Sequence, residues 1–131
     1  MAKQFTLGKN ERLKSLKAIE QLFKEGHRFT VSPFRINYTT TTNGLKFGVG
    51  VSTKNFKKAV DRNRIKRLTR EAFRLQKKIL EDKLHEDRKG LNIFFIYTAK
   101  ELPVYEQVLE KINSILKKLV KIADENNSSD S

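Results

Sequence analysis

The chain has no cysteine and no tryptophan, one methionine, two prolines and two histidines among its 131 residues. Without cysteine there is no disulfide framework and no thiolate to attack a substrate or ligate a metal. His27 and His85 lie far apart in sequence, and no Ser, Asp or second His is spaced to complete a triad with either. A Gly-rich phosphate loop is missing, as are repeats and linkers. No run reaches the apolar length of a membrane helix, and Met1 to Thr6 lack the apolar stretch of a secretory signal, so a cytoplasmic chain with no membrane partner is expected. Acids are scarce as well: 15 Asp and Glu face 28 Lys and Arg, a formal charge of +13 that points to a polyanionic partner. The length and a 37% hydrophobic content fit one domain with a modest core.

What the chain does have is concentrated between Lys54 and Lys78, where eleven of the basic residues stand against only Asp61 and Glu71. Ile65, Leu68, Ala72, Leu75 and Ile79 recur at steps of three and four, which predicts one apolar helix stripe. Arg62, Asn63, Lys66, Arg67, Arg70, Arg74, Lys77 and Lys78 fall on the opposite arc. A solvated helix ordinarily mixes charge signs, and like charges at i,i+4 repel by a few tenths of a kcal/mol per pair. Phosphates would offset that repulsion, and Arg forks fit phosphate oxygens bidentately. Asp61 is the candidate N-cap, with nearby N–H groups able to join Arg62, Asn63 and Arg64 on phosphates. Phe73 flanks the arc, either as a core-edge residue or as a stacking platform. Nothing resembles a base-reading code, so phosphates and shape are expected to carry affinity.

Around this helix the pattern predicts helix, three strands, helix, strand, helix. Residues 1–9 form a basic arm, and Asn10 caps a first helix to about Lys24, with Leu13, Leu16, Ile19, Leu22 and Phe23 on one face and Gly26 as its left-handed terminator. His27 to Val31, Phe34 to Thr41 and Leu45 to Ser52 read as strands, with Asn43-Gly44 as a hairpin turn. Gly48 and Gly50 leave one face of the third strand bare for close approach. Glu81 to Gly90, with clustered acids among Lys83, Arg88 and Lys89, reads as a fraying helix end and salt-bridged loop, not a metal site. Leu91 to Thr98 is apolar on both faces, as in a covered strand. Pro103 opens a last helix, and 124–131 is expected to be a disordered polar tail beyond a single domain over 1–123.

The run Ala59-Val60-Asp61-Arg62-Asn63-Arg64-Ile65-Lys66-Arg67-Leu68-Thr69-Arg70-Glu71-Ala72-Phe73-Arg74 resembles the signature helix of the bacterial ribonuclease P protein subunit. Arg12-Leu13, Phe23-Lys24, Gly26, Gly48-Val49, Val51 and Tyr105-Glu106 extend the resemblance along the chain. It implies an α/β (α+β) two-layer sandwich of order αβββαβα, with a four-stranded mixed sheet and a left-handed βαβ crossover, the fold of the second domain of ribosomal protein S5. It also implies a protein that binds the catalytic RNA of ribonuclease P and the 5′ leader of precursor tRNA, promoting leader removal while the RNA performs the chemistry. By position, Arg62, Asn63, Arg64, Lys66, Arg67 and Arg70 would face the catalytic RNA, and Phe23, Phe34 and Lys54 the leader. No catalytic or metal-ligating residue is implied on the protein; Mg²⁺ would be held mainly by the RNA, and the protein alone would be monomeric. The chain departs from the family pattern at Ile19 and Asn37, where aromatics are common, and at Lys57-Lys58, where Gly-Asn is common. An RNA-scaffolding ribosomal protein or an architectural DNA-binding protein would share the basic charge and small size.

Overall fold

A computed structural model of the chain describes residues 12–13, 16–42 and 44–129. The expected basic arm and the Asn10 cap lie outside them. The elements are α1 (Leu16–Glu25), β1 (His27–Val31), β2 (Phe34–Thr41), β3 (Leu45–Val51), α2 (Ala59–Gln76), α3 (Lys78–Glu86), β4 (Gly90–Tyr97) and α4 (Tyr105–Ser129). With α2 and α3 taken as one helix broken at Lys77, the order is αβββαβα. The sheet order is β1-β2-β4-β3, with β4 antiparallel to β2 and parallel to β3.

Alternation in the strands divides the sheet into two faces. Phe34, Ile36 and Tyr38 of β2 stand beside Tyr97, Phe95 and Ile93 of β4 on one face, which α2, α3 and α4 cover. Phe47 of β3 stacks flat on Phe73 of α2, with ring centroids 3.9 Å apart and planes at 5°. Burying two such rings removes them from water and stabilises the contact by several kcal/mol. Asn37, Phe94, Arg35, Ile96, Gly48 and Gly50 fall on the other face, against which α1 packs.

Several expectations are corrected here. Asn43-Gly44 does not close a β2–β3 hairpin, because β4 is inserted between those strands; Gly44 does take the positive φ of +80° expected of its turn. The apolar run of β4 explains the insertion, since a strand buried on both faces gains most at the centre. The antiparallel hairpin is β1–β2. The first helix begins at Leu16 and not at residue 11, since Leu13 donates its N–H to the Phe47 carbonyl at 2.9 Å and so runs along β3. Gly26 is not left-handed; a side chain there would lie 2.4 Å from the Leu22 carbonyl oxygen and 2.9 Å from that of Tyr38, so it is small for clearance. Glu81 to Gly90, expected as a fraying helix end and loop, is helical as far as Glu86 in α3, and α4 runs to Ser129, with Asp124 at the start of the expected tail held 2.8 Å from Lys83.

Candidate nucleic-acid interface

Helix α2 starts one turn earlier than its sequence suggests. Lys58 is the N-cap residue without a side-chain cap bond, and Asp61 sits in the first turn, where its charge still complements the helix dipole. The buried line is Ile65, Thr69, Ala72 and Phe73, while Leu75 and Ile79, expected inside, are about half exposed. The line is rotated because two residues outrank the predicted stripe. Phe73 carries more apolar area than Leu75, and Thr69 satisfies its hydroxyl internally by donating to the Ile65 carbonyl at 2.8 Å. Phe73 is therefore core, with no ring face left for a base.

This rotation sorts the basic residues. Asn63, Arg64 and Arg67 are exposed, and Lys66 and Arg70 are half-buried beside them. None of the four cations forms an ion pair with a described residue. Arg62 acts differently. Its Nη1 donates to the carbonyls of Phe56 at 2.7 Å and Lys57 at 2.8 Å, clamping the β3–α2 connection onto the helix. Further along, Arg74 pairs with Glu71, Lys78 with Asp82, and Lys77 is buried with its ammonium 3.6 Å from Glu81. The open cationic surface is thus the first half of α2 and not the whole arc to Lys78.

Arg12 extends this surface from another element. The bridge between Arg12 and Phe47 brings the segment before α1 to the outer edge of β3, beside α2. Burial and then the neighbouring Arg12 charge lower the pKa of Arg70. Two guanidiniums set close together, with no ion pair to a described carboxylate, suit an anion.

The opposite face of β3 is where the expected leader cleft would lie. The ring of Phe94 rests over Gly48 and Gly50: a side chain at Gly48 would meet it at 2.7 Å and one at Gly50 at 3.0 Å. Phe23, about half exposed on α1, meets Phe94 edge-on, with centroids 5.4 Å apart at 81°. Asn37 is the cross-strand partner of Phe94 and is buried there; Arg35 and Ile96 follow along the same face. Lys54 is exposed in the turn after β3, its N–H bonded to Ser52 Oγ at 3.1 Å, and Asn55 ties that turn to Thr98.

Of the three expected leader residues, Phe23 stands on this face against Phe94, Lys54 is exposed in the turn after β3, and Phe34 is not on this face. Phe34 is fully buried on the other face, edge-on to Phe95 and Tyr97, because the alternation that exposes Arg35 turns its neighbour inward. Phe94 is the residue beside Phe23 that pattern reading missed, hidden in a continuous apolar run. The signal for it was the pair of glycines, bare on the one face where a ring from the next strand had room. His27 opens β1 and His85 sits on α3, and Glu81, Asp82 and Asp87 are each paired with a lysine. Among the described residues no three His, Cys, Asp or Glu side chains gather to hold a metal ion, and no helix is long and apolar enough to cross a membrane.

Comparison with known proteins agrees with this geometry. The ribonuclease P family model matches residues 7–120. The ribonuclease P protein component of Porphyromonas gingivalis is 38% identical over 123 residues, covering 91% of this chain and 88% of that one. That of Nitrosococcus oceani is 36% identical over 95 residues, covering 69% and 78%. The solved ribonuclease P protein of Thermotoga maritima superposes with a TM-score of 0.67 at 29% identity, covering 82% of this chain and 96% of its own. A mutant of the Staphylococcus aureus protein gives 0.64 at 26%, covering 88% and 90%. Signature helix, sheet order and full-length similarity together place this chain in the ribonuclease P protein family.

Proposed function

We propose that the chain is the RNA-binding protein subunit of ribonuclease P. The first half of α2 docks on the catalytic RNA, through Asn63, Arg64, Lys66, Arg67 and Arg70, with Arg62 holding the helix start in place. The outer face, with Phe23 and Phe94 and with Lys54 in the turn after β3, receives the single-stranded 5′ leader of precursor tRNA. The observation that carries this reading is the shared strand: β3 has cations with no described ion-pair partner along one side and the Phe23–Phe94 ring pair on the other, so one protein can hold two RNA segments at adjoining positions. Phosphate neutralisation lets the two polyanions approach, and stacking on exposed rings favours precursor, which has a leader, over product.

Leader removal is then endonucleolytic and RNA-catalysed. The described residues offer no cluster fit to hold magnesium, so no step is assigned to protein-bound metal. Mg²⁺ would be held by the RNA, where it would supply activation of water and stabilisation of the leaving oxygen. The test is leader release at several Mg²⁺ concentrations with RNA alone, protein alone and both. The protein is expected to help most at low Mg²⁺ and moderate salt and to release no leader by itself. Cleavage by RNA-free protein, persisting after nuclease contaminants are removed, would overturn the reading.

A further inference from the structure

Helix α4 carries a second concentration of charge at the far side of the sheet. From Lys111 to Ala123 it holds Lys111, Lys117, Lys118 and Lys121 and no carboxylate. Lys111, Lys117 and Lys118 form no ion pair with a described side chain, while Lys121 has Glu125 four residues on. The same chain neutralises lysines readily elsewhere: on α3, Lys78 faces Asp82 and Lys83 faces Asp87 at i,i+4. On α4 the residue four beyond Lys117 is instead Lys121, a repulsive spacing. At 100° per residue Lys111, Ser114, Lys118 and Lys121 fall within an arc of about 80°, a stripe roughly 15 Å long.

The stripe borders β1. Lys118 is set over the ring of Phe29, its ammonium 4.8 Å from the centroid. This cation–π contact orders the side chain without cancelling its charge. Arg28, the cross-strand partner of Asn37, turns to the other face, but from Gly26 to Val60 the chain has no acid at all to offset the stripe. Because β1 and β3 are the two edges of the sheet, this surface lies across the sheet's full width from the edge beside Arg12 and α2. A single RNA strand docked on α2 does not account for it.

We propose that the α4 stripe and the β1 edge form a second RNA-phosphate face, contacting an RNA segment other than the one docked on α2. This rests on the ribonucleoprotein reading above. The partner chemistry is a phosphodiester backbone, because lysines suit phosphates as point charges.

The cysteine-free sequence makes a direct test available. Ser114→Cys, in the middle of the stripe, is loaded with a tethered iron chelate that generates hydroxyl radicals, and the protein is assembled with its co-purifying RNA. Val60→Cys on exposed α2 and Asp82→Cys on α3 serve as reference positions. The Ser114 probe is expected to cut RNA at a segment distinct from that cut from Val60, with little cutting from Asp82. In parallel, replacing Lys111, Lys118 and Lys121 together by Gln should flatten the slope of log affinity against log salt by about 2 to 3 units, at roughly 0.7 to 0.9 per phosphate lost. Cutting from Val60 but none from Ser114, with an unchanged slope, would refute the second face and leave the α2 dock standing. No cutting from either would refute both.

Discussion

Two kinds of arginine on one helix should separate experimentally. Replacing Arg64, Lys66 and Arg67 together by Ala removes three cations that have no ion-pair partner among the described residues, so the folded state loses little. What it loses is counterion release. The slope of log affinity for the catalytic RNA against log salt should flatten by about 2 to 3, so that a fourfold rise in salt costs the variant roughly 20- to 40-fold less affinity than it costs the parent. Arg62→Ala is expected to do the reverse. It deprives the Phe56 and Lys57 carbonyls of a charged donor at 2.7 and 2.8 Å, a loss of about 1.5 to 3 kcal/mol that lowers the urea midpoint by about 1 M. Its salt slope should stay close to parental, with affinity reduced evenly across salt. Filter binding over a salt series and urea denaturation of the free protein measure the two quantities. If Arg62→Ala flattened the slope as the triple variant does while leaving the urea midpoint in place, the division of roles would be wrong.

Phe94→Ala should weaken precursor tRNA binding by about 1 to 3 kcal/mol and leave mature tRNA unaffected, as comparative affinities would show. Phe34→Ala should instead cost about 3 to 5 kcal/mol of stability, read by thermal unfolding, because its ring is core. Gly48→Val places a side chain where Phe94 now rests, and should therefore reduce precursor affinity with α2 docking intact. Burial raises the pKa of Tyr97, with Glu101 adding to it, and burial likewise raises that of Tyr105. Both contributions are complete below the unfolded value of about 10 and are lost as pH climbs through the higher folded values, so stability should fall at alkaline pH and fall less steeply in Tyr97→Phe.

Local pattern made much of the fold legible. Alternation in Phe34 to Thr41 gave the two faces of β2, the continuous apolar run gave a covered β4, and the spacing of Val108, Ile112, Ile115 and Leu119 gave the buried line of α4. Long-range choices were not legible. Asn43-Gly44 signals a turn wherever it occurs, and only the preference of β4 for a central place decides that the flanking strands stand apart. Leu13 looked helical by spacing because periodicity carries no information about a free strand edge, and β3 captured its N–H. The site shows the same division. That α2 bears a cationic face was plain from composition, but which cations stay open depended on the Phe73 ring finding Phe47. Phe34 and Phe94 are both aromatics on strands, and only the parity of the register separates the one in the core from the one on the outer face.

The i,i+4 pairs of α3 have a consequence for how the complex forms. They make α3 an electrically quiet pole on a molecule that is otherwise strongly positive, so the charge distribution has a direction as well as a size. In the field of an RNA such a body experiences a torque before contact, turning α3 away and presenting its basic elements first. Encounter should therefore be fast and steeply salt-sensitive, and reversing Asp82 to Lys should slow productive association without altering the lifetime of the complex once formed.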